Sequence, residues 1–262
     1  MHFKRFLVAA VFLPAMYLYI KNLPSGYFFL LLLAVSLIAL SEFYSMYRLS
    51  GILKYAGLFF GVSVLCVSYF SQEILMDAVI VSIMAIMVIR LLFKKDPVSS
   101  LADIAVPVVG FLYIPSLLSF QTMIRNFGPE WIIFLYATVW ASDSSAYYLG
   151  KGLGKRKLYR EVSPNKTVAG AVGSLIGGAA GALLLRAVLL DMTITLAVLI
   201  GIMVGIISII GDLVESMFKR DAGVKDSGFL IPGHGGILDK IDGALFVGPV
   251  LYWVIKTTMV IR

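Results

Sequence analysis

Charged residues are scarce in this chain, making up 14% of its 262 residues, whereas about a quarter is usual in a soluble domain. The chain has a single cysteine, Cys66, so an intramolecular disulfide cannot form. It also lacks any long polar stretch that would fold as a separate soluble domain. These absences exclude an ordinary soluble protein and a disulfide framework.

What the chain has instead is a series of long apolar segments, and 60% of its residues are hydrophobic. Apolar stretches of about 20 residues match the thickness of the hydrocarbon core of a bilayer. We therefore predict an all-α, polytopic integral membrane protein that forms one domain over residues 1–262. The nine predicted transmembrane helices cover residues 6–21, 26–46, 52–71, 74–93, 101–122, 130–149, 167–189, 193–218 and 239–260.

The distribution of Lys and Arg predicts the orientation of these spans. The N-terminus and the even-numbered loops carry 17 of the 22 basic residues, and the opposite side carries five. Because basic residues concentrate in cytoplasmic loops, the N-terminus is predicted to be cytoplasmic and the C-terminus external. The net charge of +7 is explained in the same way, without a nucleic-acid partner.

The segment 216–242 is the most informative part of the chain, with four Asp, four Lys or Arg and one His in 27 residues. Just before it, Asp212 and Glu215 follow an apolar run, and with Ser216 and Lys219 they share one helix face. Carboxylates can hold Mg²⁺ and cations can hold phosphates, which is what transfer chemistry on phosphates requires. The alternative is a helix end that reaches water at the headgroups.

Three further aspartates have two interpretations each. Asp239 and Asp242 open the last predicted span and follow the glycine-rich segment 232–236. They are candidate metal ligands, although a carboxylate in the first turn of a helix also stabilises the helix dipole. Asp143 lies between two serines within an apolar span, where it is either a metal ligand or a hydrogen-bond partner of another helix.

The loop 150–167 is basic and rich in glycine, but it lacks the spacing of a Walker P-loop. Most of its cations are typical of a cytoplasmic loop that touches anionic lipid. Its end, the segment 163–167, precedes a predicted helix and is a candidate anion site. The helix that follows contains Gly177 and Gly181, a spacing that predicts close helix packing and would allow, without requiring, a homodimer.

These motifs resemble those of the CDP-diacylglycerol synthases, also called phosphatidate cytidylyltransferases. The resemblance spans residues 143–242, whereas the first 100 residues resemble the family only in being hydrophobic spans. The matching residues of the main signature are Ser216, Lys219, Arg220, Lys225, Asp226, His234, Gly235, Gly236, Asp239 and Asp242. A second block matches at Asp143, Ala146, Tyr147, Gly150, Ser163, Pro164, Lys166 and Thr167.

The resemblance implies transfer of a cytidylyl group from CTP to phosphatidate, which gives CDP-diacylglycerol and pyrophosphate, at the cytoplasmic face of the cell membrane. Residues 130–260 would carry the catalytic motifs and residues 1–122 would form a scaffold. Mg²⁺ would be bound by Asp212 and Asp239, with Asp143 and Asp242 as further ligands or supporting groups, and a second, monovalent cation is left open. Lys219 and Lys225 would be catalytic, and the substrates would be bound by Ser163, Lys166, Thr167, Ser216, Arg220, His234, Gly235 and Gly236.

Two positions depart from the family pattern. Lys240 replaces the usual Arg, which keeps the charge but loses the planar guanidinium, and Ala169 replaces a Glu. Two other classes of function are weighed against this one. A transferase that moves a phospho-alcohol would carry an Asp-rich motif that the chain lacks. A transporter with midplane carboxylates would have two related halves, and the sequence shows no such internal repeat.

Overall fold

The computed structural model describes residues 14–229 and 235–260. In this part of the chain the fold is helical apart from one small β-ribbon. The helices are α1 (residues 14–22), α2 (Ser25–Met46), α3 (Gly51–Phe70), α4 (Leu75–Phe93), α5 (Ser100–Tyr113), α6 (Pro115–Arg125), α7 (Pro129–Leu153), α8 (Val168–Leu189), α9 (Ile194–Asp221) and α10 (Leu238–Val260).

The predicted class, an all-α polytopic membrane protein, is confirmed. Six helical segments of the described chain are long and apolar enough to cross a membrane: α2, α3, α4 with its preceding turn, α5 together with α6, α8 and α9. The predicted spans 130–149 and 239–260 are helical as α7 and α10 but are not among these six. Because the span 6–21 lies partly outside the described residues, the count of nine stays a prediction.

The predicted span 101–122 is two helices, because the chain breaks at Ile114 and Pro115. Proline has no backbone N–H and its ring collides with the preceding helical turn, which ends α5 at Tyr113. Pro115 then occupies the first turn of α6, where its missing N–H removes no helical hydrogen bond.

The glycines of α8 pack within the chain. A Cβ atom on Gly177 would collide with Ser145 and Ala141 of α7, and one on Gly178 would collide with the backbone of Gly201 in α9. The close packing predicted for this glycine face is therefore confirmed, and the face serves contacts between α7, α8 and α9 of one molecule.

A two-stranded antiparallel β-ribbon, β1 (Lys157–Tyr159) and β2 (Ser163–Thr167), interrupts the helices in the loop where no strand was predicted. Its register pairs Lys157 with Thr167 and Tyr159 with Ser163. The Thr167 side chain then caps α8 by accepting a hydrogen bond from the N–H of Gly170 at 3.1 Å. The ribbon thus leads directly from β2 into α8 and fixes where the residue before Thr167, Lys166, points.

Candidate active site

Three carboxylates converge where α9 passes α10. One oxygen from each of Asp212, Glu215 and Asp242 lies within 4.8 Å of the other two. The i, i+3 spacing puts the first two on one face of α9. The third comes close because Gly211 has no side chain, since a Cβ there would lie 2.6 Å from the carbonyl oxygen of Asp242. We call these three residues the carboxylate cluster.

Glu215 is the member of the cluster with one paired and one unpaired carboxylate oxygen among the described residues. Its side chain is buried, and Oε2 accepts a hydrogen bond from the ammonium of Lys219. Oε1 is buried as well and has no hydrogen-bond partner among the described residues. A buried carboxylate oxygen without a partner is costly, and two neighbouring carboxylates increase that cost. A divalent cation would pair with the free oxygen and offset the repulsion between the carboxylates. The cluster therefore fits Mg²⁺, which takes oxygen ligands.

Asp239 has the opposite surroundings, because both of its oxygens are occupied. Oδ1 lies 2.6 Å from Nζ of Lys219. Oδ2 accepts three hydrogen bonds, from the N–H of Gly236 at 2.8 Å, the N–H of Ser227 at 3.0 Å and the Ser227 hydroxyl at 2.8 Å. Gly235 enters this turn at a φ of +86°, a conformation that favours glycine. Asp239 therefore organises the segment that leads into α10.

Two lysines, Lys219 and Lys166, form ion pairs with these carboxylates. Lys219 is buried and shared between Glu215 and Asp239. Lys166 reaches from β2 to α9, where its Nζ lies 2.8 Å from Oδ2 of Asp212. The other oxygen of Asp212 accepts a hydrogen bond from Ser216 at 3.4 Å. The β-ribbon is thus joined to the cluster by an ion pair between a mostly buried lysine and a half-exposed aspartate.

Asp143 of α7 lies outside the carboxylate cluster as defined. Its Oδ1 accepts a hydrogen bond from the hydroxyl of Ser208 in α9 at 3.0 Å. Ser208 also contacts α10, since a Cβ on Gly243 would lie 2.5 Å from its oxygen. The observed contact is therefore the helix-to-helix hydrogen bond that was one of the two interpretations for Asp143.

Other predicted site residues that the structure describes are Arg220, Lys225 and Ser163. Arg220 is exposed and donates hydrogen bonds to the carbonyl oxygens of Val162 and Val224. Lys225 is exposed on the segment after α9, and neither cation forms an ion pair among the described residues. Ser163 is half-buried in β2. His234 lies outside the described residues.

A groove of about 930 Å³ opens beside this site, between α2 and the segment 224–229. Leu37, Ile38 and Met46 give it an apolar wall, and Lys225 gives it a cation. The carboxylates of Glu42 and Asp226 line the groove as well, so it can take a molecule that has both a hydrocarbon part and a polar part.

Two residues of the site come from the N-terminal helices and were missed in the sequence. Glu42 of α2 accepts hydrogen bonds from the N–H groups of Ile237 and Leu238, both at 3.0 Å. Tyr113 of α5 packs its ring against Phe218 and Phe246. For Glu42 a signal was present, because a glutamate within an apolar span is costly and therefore often functional.

Comparison with known proteins decides the family. Residues 3–258 match the sequence profile of the cytidylyltransferase family. The chain belongs to this family. The cytidylyltransferase family resemblance drawn from the motifs is thereby confirmed, and it extends over the N-terminal helices, where the motifs gave no indication.

Individual relatives of this cytidylyltransferase are named as members of the same family. A phosphatidate cytidylyltransferase of Synechocystis sp. is 34% identical over an alignment of 281 positions, which covers 94% of each chain. One of Bacillus subtilis is 37% identical over 188 residues, covering 70% of this chain and 68% of the relative. One of Staphylococcus saprophyticus is 43% identical over 158 residues, covering 60% of this chain and 58% of the relative.

Proposed function

We propose that this cytidylyltransferase transfers the cytidylyl group of CTP to phosphatidate and forms CDP-diacylglycerol and pyrophosphate. The observation that carries the proposal is the carboxylate cluster with the unpartnered, buried oxygen of Glu215. Exposed cations beside it, and relatives named for this activity, support it. The groove between α2 and the segment 224–229 would take the lipid, with hydrocarbon against its apolar wall.

The residues proposed to hold Mg²⁺ are Asp212, Glu215 and Asp242. When bound there, Mg²⁺ would neutralise negative charge on the CTP phosphates as pyrophosphate leaves. This set keeps two of the ligands predicted from the sequence and adds Glu215. Asp239 is given a different role, because it lies outside the carboxylate cluster and its oxygens already accept four hydrogen bonds or ion-pair contacts. Asp212, by contrast, has one ion pair and one long hydrogen bond. Asp143 supports the arrangement through Ser208.

The proposed reaction is an in-line displacement at the α-phosphorus of CTP. A phosphate oxygen of phosphatidate forms the new bond to the α-phosphorus. At the same time the bond between the α-phosphorus and the oxygen that leaves with pyrophosphate breaks. The attacking phosphate is already anionic near neutral pH, so it needs no strong general base. Arg220 and Lys225 would hold substrate phosphates, and Lys166 would orient Asp212. Catalysis then rests on positioning and electrostatics.

The proposed location of the reaction is the cytoplasmic face of the cell membrane. The excess of basic residues on one side of the predicted spans supports this orientation. CTP would arrive from the cytoplasm and phosphatidate from the bilayer, and the two would meet at the ends of α9 and α10. A homodimer is not required by this proposal, because the glycine face of α8 is used within the chain.

The test is product formation by the purified protein in mixed micelles that contain phosphatidate, CTP and Mg²⁺. We expect CDP-diacylglycerol and pyrophosphate in equal amounts, and neither when any one of the three is omitted. Replacing CTP and phosphatidate by a CDP-alcohol and a lipid acceptor tests the competing transferase class. Product from that pair alone would overturn the proposal.

Asp239→Asn is expected to lower turnover about 10- to 100-fold while the protein stays folded, since an amide cannot accept from both Lys219 and the three donors at Oδ2. The measurement is the initial rate of CDP-diacylglycerol formation per folded protein. A rate close to that of the wild type would refute the role of Asp239.

A further inference from the structure

Glu42 connects a helix without any catalytic motif to the segment that builds the site. It is a carboxylate of α2, and all of its described hydrogen bonds go to residues at least 185 positions later in the sequence. Oε1 accepts from the N–H of Ile237, and Oε2 accepts from the N–H of Leu238. Oε2 also lies 3.2 Å from the hydroxyl oxygen of Ser227, whose single proton is shared between Glu42 and Asp239.

The first consequence is a cap for α10. The first N–H groups of a helix have no partner within the helix, and a carboxylate there satisfies them and interacts favourably with the helix dipole. In α10 that carboxylate comes from another helix. Two glycines make room for it, because a Cβ on Gly228 or on Gly236 would collide with the Glu42 side chain.

The second consequence is a continuous chain of contacts to the carboxylate cluster. The Ser227 hydroxyl lies 3.2 Å from Oε2 of Glu42 and 2.8 Å from Oδ2 of Asp239. The other oxygen of Asp239 contacts Nζ of Lys219, which also contacts Glu215. Four contacts therefore connect Glu42 to a member of the cluster.

We propose that Glu42 is a positioning residue that sets the metal affinity of the carboxylate cluster, by holding Ser227 and α10 so that Asp239 shares the ammonium of Lys219. The inference rests on the proposed function only in taking the cluster as the metal site. If Asp239 moves away, Lys219 forms its ion pair with Glu215 alone. A carboxylate that is paired fully with an ammonium is a weaker ligand for a cation, so metal binding weakens.

The test measures metal binding without substrates. Mn²⁺ is titrated into the full-length protein in detergent micelles, and free Mn²⁺ is followed by electron paramagnetic resonance. For Glu42→Gln we expect the dissociation constant to rise about 10- to 100-fold, the range found when groups that orient metal ligands are removed. The matched control is Glu73→Gln, an exposed glutamate before α4, which should bind Mn²⁺ like the wild type.

A second variant separates positioning from folding. Ser227→Ala removes the hydroxyl between the two carboxylates and leaves the contacts of Glu42 with Ile237 and Leu238 in place. It should also weaken Mn²⁺ binding, and it decides the question if Glu42→Gln does not fold. A purely structural role would lower the amount of folded protein and leave the affinity of the folded fraction unchanged.

The outcomes for Glu42 and for the proposed function are distinguishable. Wild-type affinity in folded Glu42→Gln and Ser227→Ala would overturn the inference, and so would a wild-type protein that binds no Mn²⁺. If the wild type binds Mn²⁺ and the variants bind it weakly, but the wild type makes no CDP-diacylglycerol, the inference stands and the proposed reaction fails.

Discussion

Two neighbouring acidic side chains, Asp239 and Glu215, share one lysine but differ in how many of their oxygens have partners. The first accepts at both oxygens, whereas the second keeps one buried oxygen without a partner among the described residues. An occupied carboxylate fixes its surroundings, and an open one has capacity for a ligand. The difference assigns organisation to Asp239 and metal binding to the cluster that contains Glu215.

Asp242→Asn should lower the rate of CDP-diacylglycerol formation at least about 100-fold, because the cluster loses one negative ligand. The protein should still fold, since the amide oxygen can accept the hydrogen bond that the N–H of Gly243 donates to Oδ1. The measurement is the initial rate at saturating CTP and phosphatidate.

The control for this prediction is Asp191→Asn, at an exposed aspartate between α8 and α9. It changes the net charge by the same amount and should leave the rate unchanged. Equal rates in Asp242→Asn and the wild type would remove Asp242 from the metal site.

At this scale the sequence predicts residue types better than it predicts partners. The helical spacing placed Glu215 beside Asp212, but the hydrogen bonds that saturate Asp239 depend on Ser227 and on the turn before α10. No periodicity links Glu42 to that turn, because the contact is made across the fold.

Among the elements, α8 and α9 approach so closely that their glycines decide the packing. Gly178→Ala would put a methyl group against the backbone of Gly201, and overpacking of this kind typically costs about 1–3 kcal/mol. We therefore expect a lower midpoint of thermal unfolding in detergent.

Gly152→Ala is the matched control, because a Cβ there meets nothing within 4 Å in α7. It should leave the midpoint unchanged or raise it slightly, since alanine in a helix is more stable than glycine by about 0.5–1 kcal/mol. If Gly178→Ala unfolds at the same temperature as Gly152→Ala, the close packing is not a source of stability.

Most helices follow from apolar length, and their ends follow from proline and glycine. Hydrophobicity does not predict the break at Pro115, because α5 and α6 lie in one apolar segment of the sequence. It does not predict the β-ribbon either, because the strands have only three and five residues and are mostly exposed. The ribbon nevertheless matters for the site, because it carries Lys166 to Asp212.

For the whole molecule, the asymmetry of 17 and five basic residues predicts the orientation in the membrane. We predict that Lys155 faces the cytoplasm and Asp191 faces outward. Each is replaced by cysteine in a Cys66→Ala background and treated with a membrane-impermeant maleimide. Asp191→Cys should react in intact spheroplasts, and Lys155→Cys only in inverted vesicles. The reverse pattern would overturn the orientation.

The division into a scaffold of residues 1–122 and a catalytic part of residues 130–260 was drawn from the motifs. In the structure, Glu42 and Tyr113 of the first part contact residues of the second. Motifs reveal where chemistry is concentrated along the chain, whereas burial and long-range contacts reveal which distant helices support it.

The most direct test of the account is the Mg²⁺ dependence of CDP-diacylglycerol formation in the wild type and in Glu215→Gln. The account predicts that the wild type forms no product without a divalent cation. It predicts that Glu215→Gln needs a Mg²⁺ concentration about 10-fold or more above that of the wild type and stays slower at saturation. Product without any divalent cation, or the same Mg²⁺ curve for both proteins, would contradict it.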